Sequence, residues 1–445
     1  MQGLPKSYAF PSQRIHGLVF PLFLLVLAAI SLWYWSGVPA VPFHPDESTQ
    51  IFNSADTELW FTQPSALFWR ADRVDDMRQK YRALDAPLTR LSIGLARMIT
   101  GLPPLPVDWD WGKTWEENAQ AGALPSPELL QTARLAAALW FPLTVLFLYL
   151  AARRAYGETA AWIAALLLAM NALVLLHTRR AMAEGPLLFT LTFALWALVR
   201  AEKRPWLAAV PFALAFCAKQ TLAALLPVAL LALFWQTGKT LPHKLRDATL
   251  FGVVYLAVIV LLNPFLWSEP WQAIRYAARE RQELAQAQTA DRPTQVLSTP
   301  DRKLIGMVGS LYLTPPIFAE TANYANEISA AEAAYLQNPL HALGRSVSVG
   351  GILLLLGLAG FAWSVKHSAR PEEQEASESH HRELVLLTTA GIILTLALLV
   401  AIPLPWQRYY MPLVPFTCLW AAMGITAIAR RVRNDLANRR AATSP

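Results

Sequence analysis

Charge is scarce in this chain: 16% of its 445 residues are Asp, Glu, Lys or Arg, against roughly a quarter in ordinary soluble domains. The deficit excludes a soluble globular reading, because repeated apolar runs stand where charge would be, and 55% of the residues are hydrophobic. Cysteine is scarcer still. Cys217 and Cys418 are the only two, both in or beside apolar runs, which argues against a disulfide framework. There is also no CxxC pair, no P-loop, no dinucleotide-binding glycine fingerprint and no internal repeat. The net charge of +7 would suggest nucleic acid in a soluble protein. In a membrane protein it calls first for a topological reading, and no nucleic-acid partner is expected.

What the chain does have is span-length apolar segments. Ile15–Trp35 is the first, about 21 residues and long enough to cross a bilayer. It is read as an uncleaved anchor; Val38-Pro39-Ala40 loosely resembles a signal-peptide cleavage site, but the apolar core is too long for one. The others are Leu129–Ala152, Thr159–Leu176, Gly185–Val199, Trp206–Ala218, Thr221–Trp235, Ala248–Trp267, Leu343–Val365, Leu384–Ile402 and Tyr409–Ala429. The expected fold is an all-α polytopic membrane protein with about ten transmembrane helices, in a range of nine to twelve. The count is open because only Lys219-Gln220 interrupts the run from Trp206 to Trp235, which suits either a tight hairpin or a partly re-entrant segment. Seventeen Trp fit many membrane interfaces.

Basic residues set the orientation. With the N-terminus cytoplasmic, the inner segments hold Lys6, Arg14, Arg153, Arg154, Arg200, Lys203, Arg204, Lys239, Lys244, Arg246, Lys366, Arg370, Arg382 and the arginines from Arg430 onward. The short outer turns hold only Arg179, Arg180, Lys219 and Arg408. Both termini are therefore expected in the cytoplasm of a cell-membrane protein. Two long outer loops, 37–128 and 268–341, carry most of the non-membrane mass. In them Pro87 to Thr100 and Arg275 to Gln288 read as helices lying on the membrane surface, as does the more apolar Leu304 to Phe318, broken by Pro315-Pro316. Residues 366–383 read as a cytoplasmic linker and 430–445 as a basic tail; the whole chain reads as a single membrane domain.

The unexpected polar residues then collect on the outer side. His44-Pro45-Asp46-Glu47 follows the first span, and Asp85 and Arg90 lie in the same loop. Arg134 is one to two turns into the second span. Arg179, Arg180 and Glu184 form the turn between spans three and four, and Lys219 the next outer turn; Arg408-Tyr409-Tyr410 opens the last span. Each has a plain alternative. The acids suit a helix N-terminus, the arginines suit snorkelling anchors, and Arg408-Tyr409-Tyr410 suits an interfacial belt. His44 and His177 are more simply loop or packing histidines than metal ligands.

Convergence favours chemistry. A lipid-linked sugar phosphate needs cations for the phosphate, a carboxylate to take the acceptor's proton or hold a metal that does so, and an apolar groove for the tail. A transporter or flippase for a lipid-linked or anionic solute is the alternative. It would place its ionisable groups near the midplane on broken helices, and it gives two long outer loops no purpose. A non-catalytic scaffold would need neither the acids nor the cations.

These residues resemble the polytopic glycosyltransferases of the C-type fold that use polyprenyl-phosphate sugars, among them the protein O-mannosyltransferases and the aminoarabinose transferase. Phe43-His44-Pro45-Asp46-Glu47 looks like that family's first-loop acidic motif. Asp85-Ala86-Pro87-Leu88-Thr89-Arg90 is similar to its second loop motif, with Ala86 where Pro is common. The likeness continues through Arg134 and its alanines, Arg153 to Gly157, Arg179 to Glu184, Phe216 to Gln220, and Arg408-Tyr409-Tyr410 with Pro412 and Pro415. The resemblance implies inverting transfer, on the extracytoplasmic face, to a hydroxyl or amine of a protein, lipid or glycan acceptor. Asp46 would be the base, with Glu47 and Asp85 supporting it. Arg90, Arg134, Arg179, Arg180, Lys219, Arg408, Tyr409 and Tyr410 would hold the donor phosphate and lipid. No cofactor is firmly implied; were a divalent metal used, Asp46, Glu47 and His44 would hold it.

Overall fold

A computed structural model describes residues 12–200, 205–236, 238–341, 346–368 and 378–443. Among the described residues the chain is helical, without strands. Helix α1 (Ser12–Ser36) is followed by the first long loop, which folds into α2 (Pro45–Asn53), α3 (Asp56–Thr62), α4 (Met77–Leu84), α5 (Pro87–Thr100) and α6 (Trp115–Gln120). A helical bundle follows: α7 (Pro127–Ala138), α8 (Phe141–Tyr156), α9 (Glu158–Ala169), α10 (Ala172–His177), α11 (Glu184–Arg200), α12 (Ala209–Ala218), α13 (Leu226–Phe234) and α14 (Leu241–Leu262). The second long loop carries α15 (Pro270–Ala290), α16 (Pro300–Val308) and α17 (Ala322–Gln337), before α18 (Val347–Ser368), α19 (Glu378–Ala401) and α20 (Val414–Thr443).

Among the described residues, six helical stretches are long and apolar enough to cross a membrane: Val19–Ser36, Pro127–Tyr156, Leu241–Leu262, Val347–Ser368, His381–Ala401 and Gln407–Arg440. The chain is a multi-pass membrane protein. The other apolar runs are helical too but shorter or broken, for local reasons. Thr159–Leu176 divides at Asn171, whose carboxamide oxygen accepts from the amides of Leu173 and Val174 and starts α10 afresh. Between Trp206 and Trp235 the helix stops at Ala218, Lys219 is extended, and a 3-10 stretch leads into α13. The seventh run begins earlier than expected, at Leu241, and ends at Leu262 because Pro264 follows. The centre of the expected linker, residues 369–377, lies outside the described residues; its flanks extend α18 and α19. The basic tail continues α20 to Thr443.

Backbone contact through small residues packs the bundle. A Cβ on Gly360 would sit 1.8 Å from the Trp420 carbonyl, and one on Gly424 would sit 2.1 Å from that of Leu356. Glycine at both positions lets α18 and α20 cross at backbone distance, as membrane helices commonly do.

The first long loop packs on α7 through Ile51, Ile93, Leu129 and Ala133. Helix α5 has the bounds expected from sequence. It begins on Pro87, suited to a first helical turn, and ends at Gly101 with φ 71°. One face buries Arg90 and Arg97, and the other exposes Leu95, Met98 and Ile99, as an interfacial helix would. The buried arginines are partnered. Arg82 meets Asp56 through two bonds of 2.9 and 2.7 Å, Arg90 lies 3.5 Å from the same carboxylate, and Arg97 donates to Ser54 Oγ at 2.6 Å.

Candidate active site

The site begins at the N-terminus of α2. His44 is extended and caps the helix; Pro45 occupies the first turn, and the Glu47 carboxylate reaches back to the His44 amide at 3.0 Å. This capping box fixes two adjacent acids about 100° apart around the helix axis. Glu47 points into the protein and is fully buried. Its oxygens accept two Arg134 bonds, each of 2.8 Å, and the Ala181 amide at 2.9 Å. Asp46 points the other way, is 27% exposed, and pairs with Arg408.

Asp46 lies on the wall of a cavity of about 720 Å³. Asp85, Lys219, Arg408 and Tyr409 line the same cavity. Asp85 ends α4 and takes a bond from Gln50 at 3.3 Å; burial raises its carboxyl pKa, against the pull of Arg281 and Arg90. Lys219 stands 3.7 Å from Glu184 and 5.6 Å from the centre of the Tyr409 ring. The extended backbone of Lys219, between α12 and α13, is the kind of irregular segment tolerated at membrane depth where it lines a cavity.

Glu184 lines it as well, whereas the other residues singled out from sequence do not. Glu47 and Arg134 form the buried pair described above, and Arg90 belongs to the Asp56 cluster. Arg179 is fully buried and donates to the Tyr34 carbonyl at 3.0 Å, under Gly37, where a Cβ would come within 2.5 Å of the guanidinium. Arg180 donates to the carbonyls of Pro42 at 3.1 Å and Phe318 at 2.9 Å, tying the two long loops together. Tyr410 is buried in the bundle. His177 is buried as well, and among the described residues neither ring nitrogen has a hydrogen-bond partner.

The second long loop adds what the sequence did not single out. Arg281 and Arg292 line the cavity, as do Gln288, Asp291 and Glu320. Arg281, Leu284, Gln288 and Asp291 recur at helical spacing along α15 and its end, a one-face pattern that the sequence shows once it is sought. Glu320 has no such signal. Its side chain is nearly buried; one oxygen is 3.2 Å from Arg408 and the other 3.6 Å from His44 Nε2. Burial raises Glu320 to about 7, with Arg180, Arg292 and Lys219 pulling it down and Glu184 pushing it up. His44 is held well below its usual range by burial and by Arg180 and Arg408. Its Nδ1 accepts the Asp46 amide at 3.1 Å, so the neutral ring carries its proton on Nε2, facing Glu320.

The trio named for a metal does not fit one. Glu47 spends its oxygens on Arg134 and two amides, His44 Nδ1 is taken by an amide, and Asp46 is paired with Arg408. Among the described residues no group of three or more His, Cys, Asp or Glu is arranged to hold a metal ion. What the arrangement offers is a partly exposed carboxylate, Asp46, among five on the cavity wall (with Asp85, Glu184, Asp291 and Glu320), cations at Lys80, Lys219, Arg281, Arg292 and Arg408, and room for a sugar phosphate.

Residues 128–267 match the family model of the dolichyl-phosphate-mannose-protein mannosyltransferases. The matched segment, under a third of the chain, holds Arg134, Arg179, Arg180 and Lys219. Alignments to solved structures are weaker. An Archaeoglobus fulgidus oligosaccharyltransferase, AglB, in complex with an inhibitory peptide and a dolichol-phosphate, aligns at TM-score 0.47 and 12% identity over 95% of this chain and 52% of its own. ArnT from Cupriavidus metallidurans, bound to undecaprenyl phosphate, aligns at 0.36 and 15% over 91% and 77%. The S. cerevisiae protein O-mannosyltransferase Pmt1–Pmt2 complex, bound to the sugar donor, aligns at 0.38 and 15% over 56% and 34%. The chain thus spans about half the length of the oligosaccharyltransferase. No curated protein sequence matches it.

Proposed function

We propose that this chain is a membrane glycosyltransferase that moves a sugar from a polyprenyl-phosphate donor to an acceptor hydroxyl or amine, with inversion and with Asp46 as general base. One observation carries the reading: Asp46 is a partly exposed carboxylate on a 720 Å³ cavity whose wall also presents Lys219, Arg281, Arg292 and Arg408.

The steps follow from the charges. The donor phosphate sits among Lys219, Arg281 and Arg292, which stabilise the negative charge it gains as it leaves. The acceptor oxygen or nitrogen attacks the anomeric carbon from the face opposite the phosphate. The new bond to the acceptor forms as the bond to the phosphate oxygen breaks, and that oxygen keeps the electron pair. The acceptor's proton passes to Asp46. Positive charge building on the sugar ring is stabilised by the nearby carboxylate. Arg408 orients Asp46, and Glu47, locked on Arg134, holds the turn that carries it. The distribution of basic residues supports a cell-membrane location with cytoplasmic termini and an extracytoplasmic site.

The test is transfer of radiolabel from polyprenyl-phosphate sugars in proteoliposomes, wild type against Asp46→Asn. Label released by the wild type and retained on the donor by the variant supports the reading. Equal release by both removes Asp46 from the chemistry. Labelled donor crossing the bilayer without release of sugar indicates a flippase instead.

A further inference from the structure

Four aromatic side chains line the cavity: Tyr81, Trp111, Trp406 and Tyr409. Three are already engaged. Tyr81 donates its hydroxyl to Asp108. Trp406 lies under Arg292 and Arg408, at 5.4 and 5.6 Å from its centre, and Tyr409 lies under Lys219 and Arg408, each at 5.6 Å. Trp111 is different. It is 41% exposed, and among the described residues it has neither a cation over its ring nor a partner for its indole N–H.

Its position is nonetheless fixed. The rings of Tyr324, His44 and Trp109 meet it edge to face, with centres 6.3, 6.4 and 6.5 Å away. Asn323 donates to its carbonyl at 3.4 Å, and the buried Asn118 holds the preceding residue, accepting the Asp110 amide at 2.8 Å and donating to the Asp110 carbonyl at 3.0 Å. A rigid, half-open indole in a polar cavity leaves apolar surface wet, and a ligand that covers it gains by doing so.

The ligand's chemistry is constrained. A phosphate is repelled by the negative face of the ring. A prenyl tail would cut off from water the hydrogen-bonding capacity that Asn323 and Thr321 keep beyond their bonds to each other and to the Trp111 carbonyl. A pyranose suits both, with a face of C–H bonds for the indole and a rim of hydroxyls for the amide and hydroxyl. The side of the cavity is constrained as well. Cations lie over Trp406 and Tyr409 and Arg408 reaches from there to Asp46, whereas Trp111 carries no cation and stands against His44, whose Nδ1 is 4.0 Å from the Asp46 carboxylate that receives the acceptor's proton.

We infer that Trp111 is the stacking platform for a sugar ring of the acceptor, which makes the acceptor a carbohydrate; this rests on the transferase reading above. The test is saturation-transfer NMR on the full chain in detergent, with methyl α-glucopyranoside and methyl β-galactopyranoside as probes. Ring protons of at least one glycoside take up saturation from the wild type. The signal falls roughly fivefold or more in Trp111→Ala and is partly kept in Trp111→Phe, which retains a stacking face. It is unchanged in Trp271→Ala, an exposed tryptophan of α15 outside the cavity. Should Trp111→Ala fail to fold, the partial loss in Trp111→Phe carries the test. Equal signal in wild type and Trp111→Ala, or none in the wild type with either probe, overturns the assignment. Adding farnesyl phosphate leaves the signal in place; its loss would put the ring on the donor side and overturn the acceptor assignment. Because the readout is binding, it is separable from the Asp46→Asn transfer assay: glycoside binding to a chain that transfers nothing would sink the transferase reading and leave the platform standing.

Discussion

Arg408 pairs with Asp46 across 362 positions of sequence. The same guanidinium lies 3.2 Å from Glu320 of the second long loop. One side chain at the opening of the last span thus joins the carboxylate of the first loop to that of the second. Both loops and the bundle contribute residues to the cavity wall.

Asp46→Asn keeps the shape of the side chain and its place on the helix, but an amide is a far poorer proton acceptor. Sugar transfer is expected to fall by roughly 10²–10⁴, the usual contribution of a general base. The melting temperature in detergent should stay close to that of the wild type, because Asp46 caps nothing that Glu47 and His44 do not already hold. Transfer rates within a factor of a few of wild type would exclude the assigned role.

The contrasting fate of the two adjacent acids shows where sequence reasoning stops. The apolar runs become helices because their length and composition leave little else in a membrane, and Pro87 and Gly101 bracket α5 in the sequence itself. The break at Lys219 is visible as two polar residues in an apolar run. That Asp46 faces a cavity while Glu47 is buried is not visible, because it depends on helix rotation and on Arg134, 87 positions away. Arg179 and Arg180 read as phosphate ligands because of their charge, yet their donors go to carbonyls of Tyr34, Pro42 and Phe318. Glu320 is a lone acid in a loop, and only the folded chain brings it to Arg408.

Arg134→Ala tests the buried pair. It leaves the Glu47 carboxylate with two amide donors and without its paired guanidinium, fully buried. Breaking such a pair from one side costs about 3–5 kcal/mol, so the melting temperature should drop sharply. Arg134→Ala combined with Glu47→Gln should recover part of the loss, because the charge is removed with its partner. A double variant no more stable than Arg134→Ala would mean that Glu47 is not what the arginine compensates.

Lys219→Ala and Arg281→Ala test the phosphate side. Each removes one charged donor, worth about 1.5–3 kcal/mol where the bond is made, so the donor KM should rise by roughly 10- to 100-fold. The acceptor KM should change little. If acceptor KM moves and donor KM does not, the assignment of the cavity's two sides is reversed.

Glu320 gives the protein a pH-dependent stability with a definite sign. Its carboxyl is raised by burial to about 7 from an unperturbed 4.5, so the folded state binds a proton that the unfolded state releases. That contribution is fully present below about pH 4.5 and is lost as pH rises through 7. The melting temperature of the wild type should therefore decline between about pH 5 and 8 relative to that of Glu320→Gln, which holds a neutral group throughout. The difference between the two curves is the quantity to measure, because it cancels other titrations that both share. Parallel curves would show that Arg408 and His44 hold Glu320 ionised across the range. Its partnership with Arg408 would then persist at every working pH, and neutralising it by mutation would weaken the junction at which both loops meet Asp46.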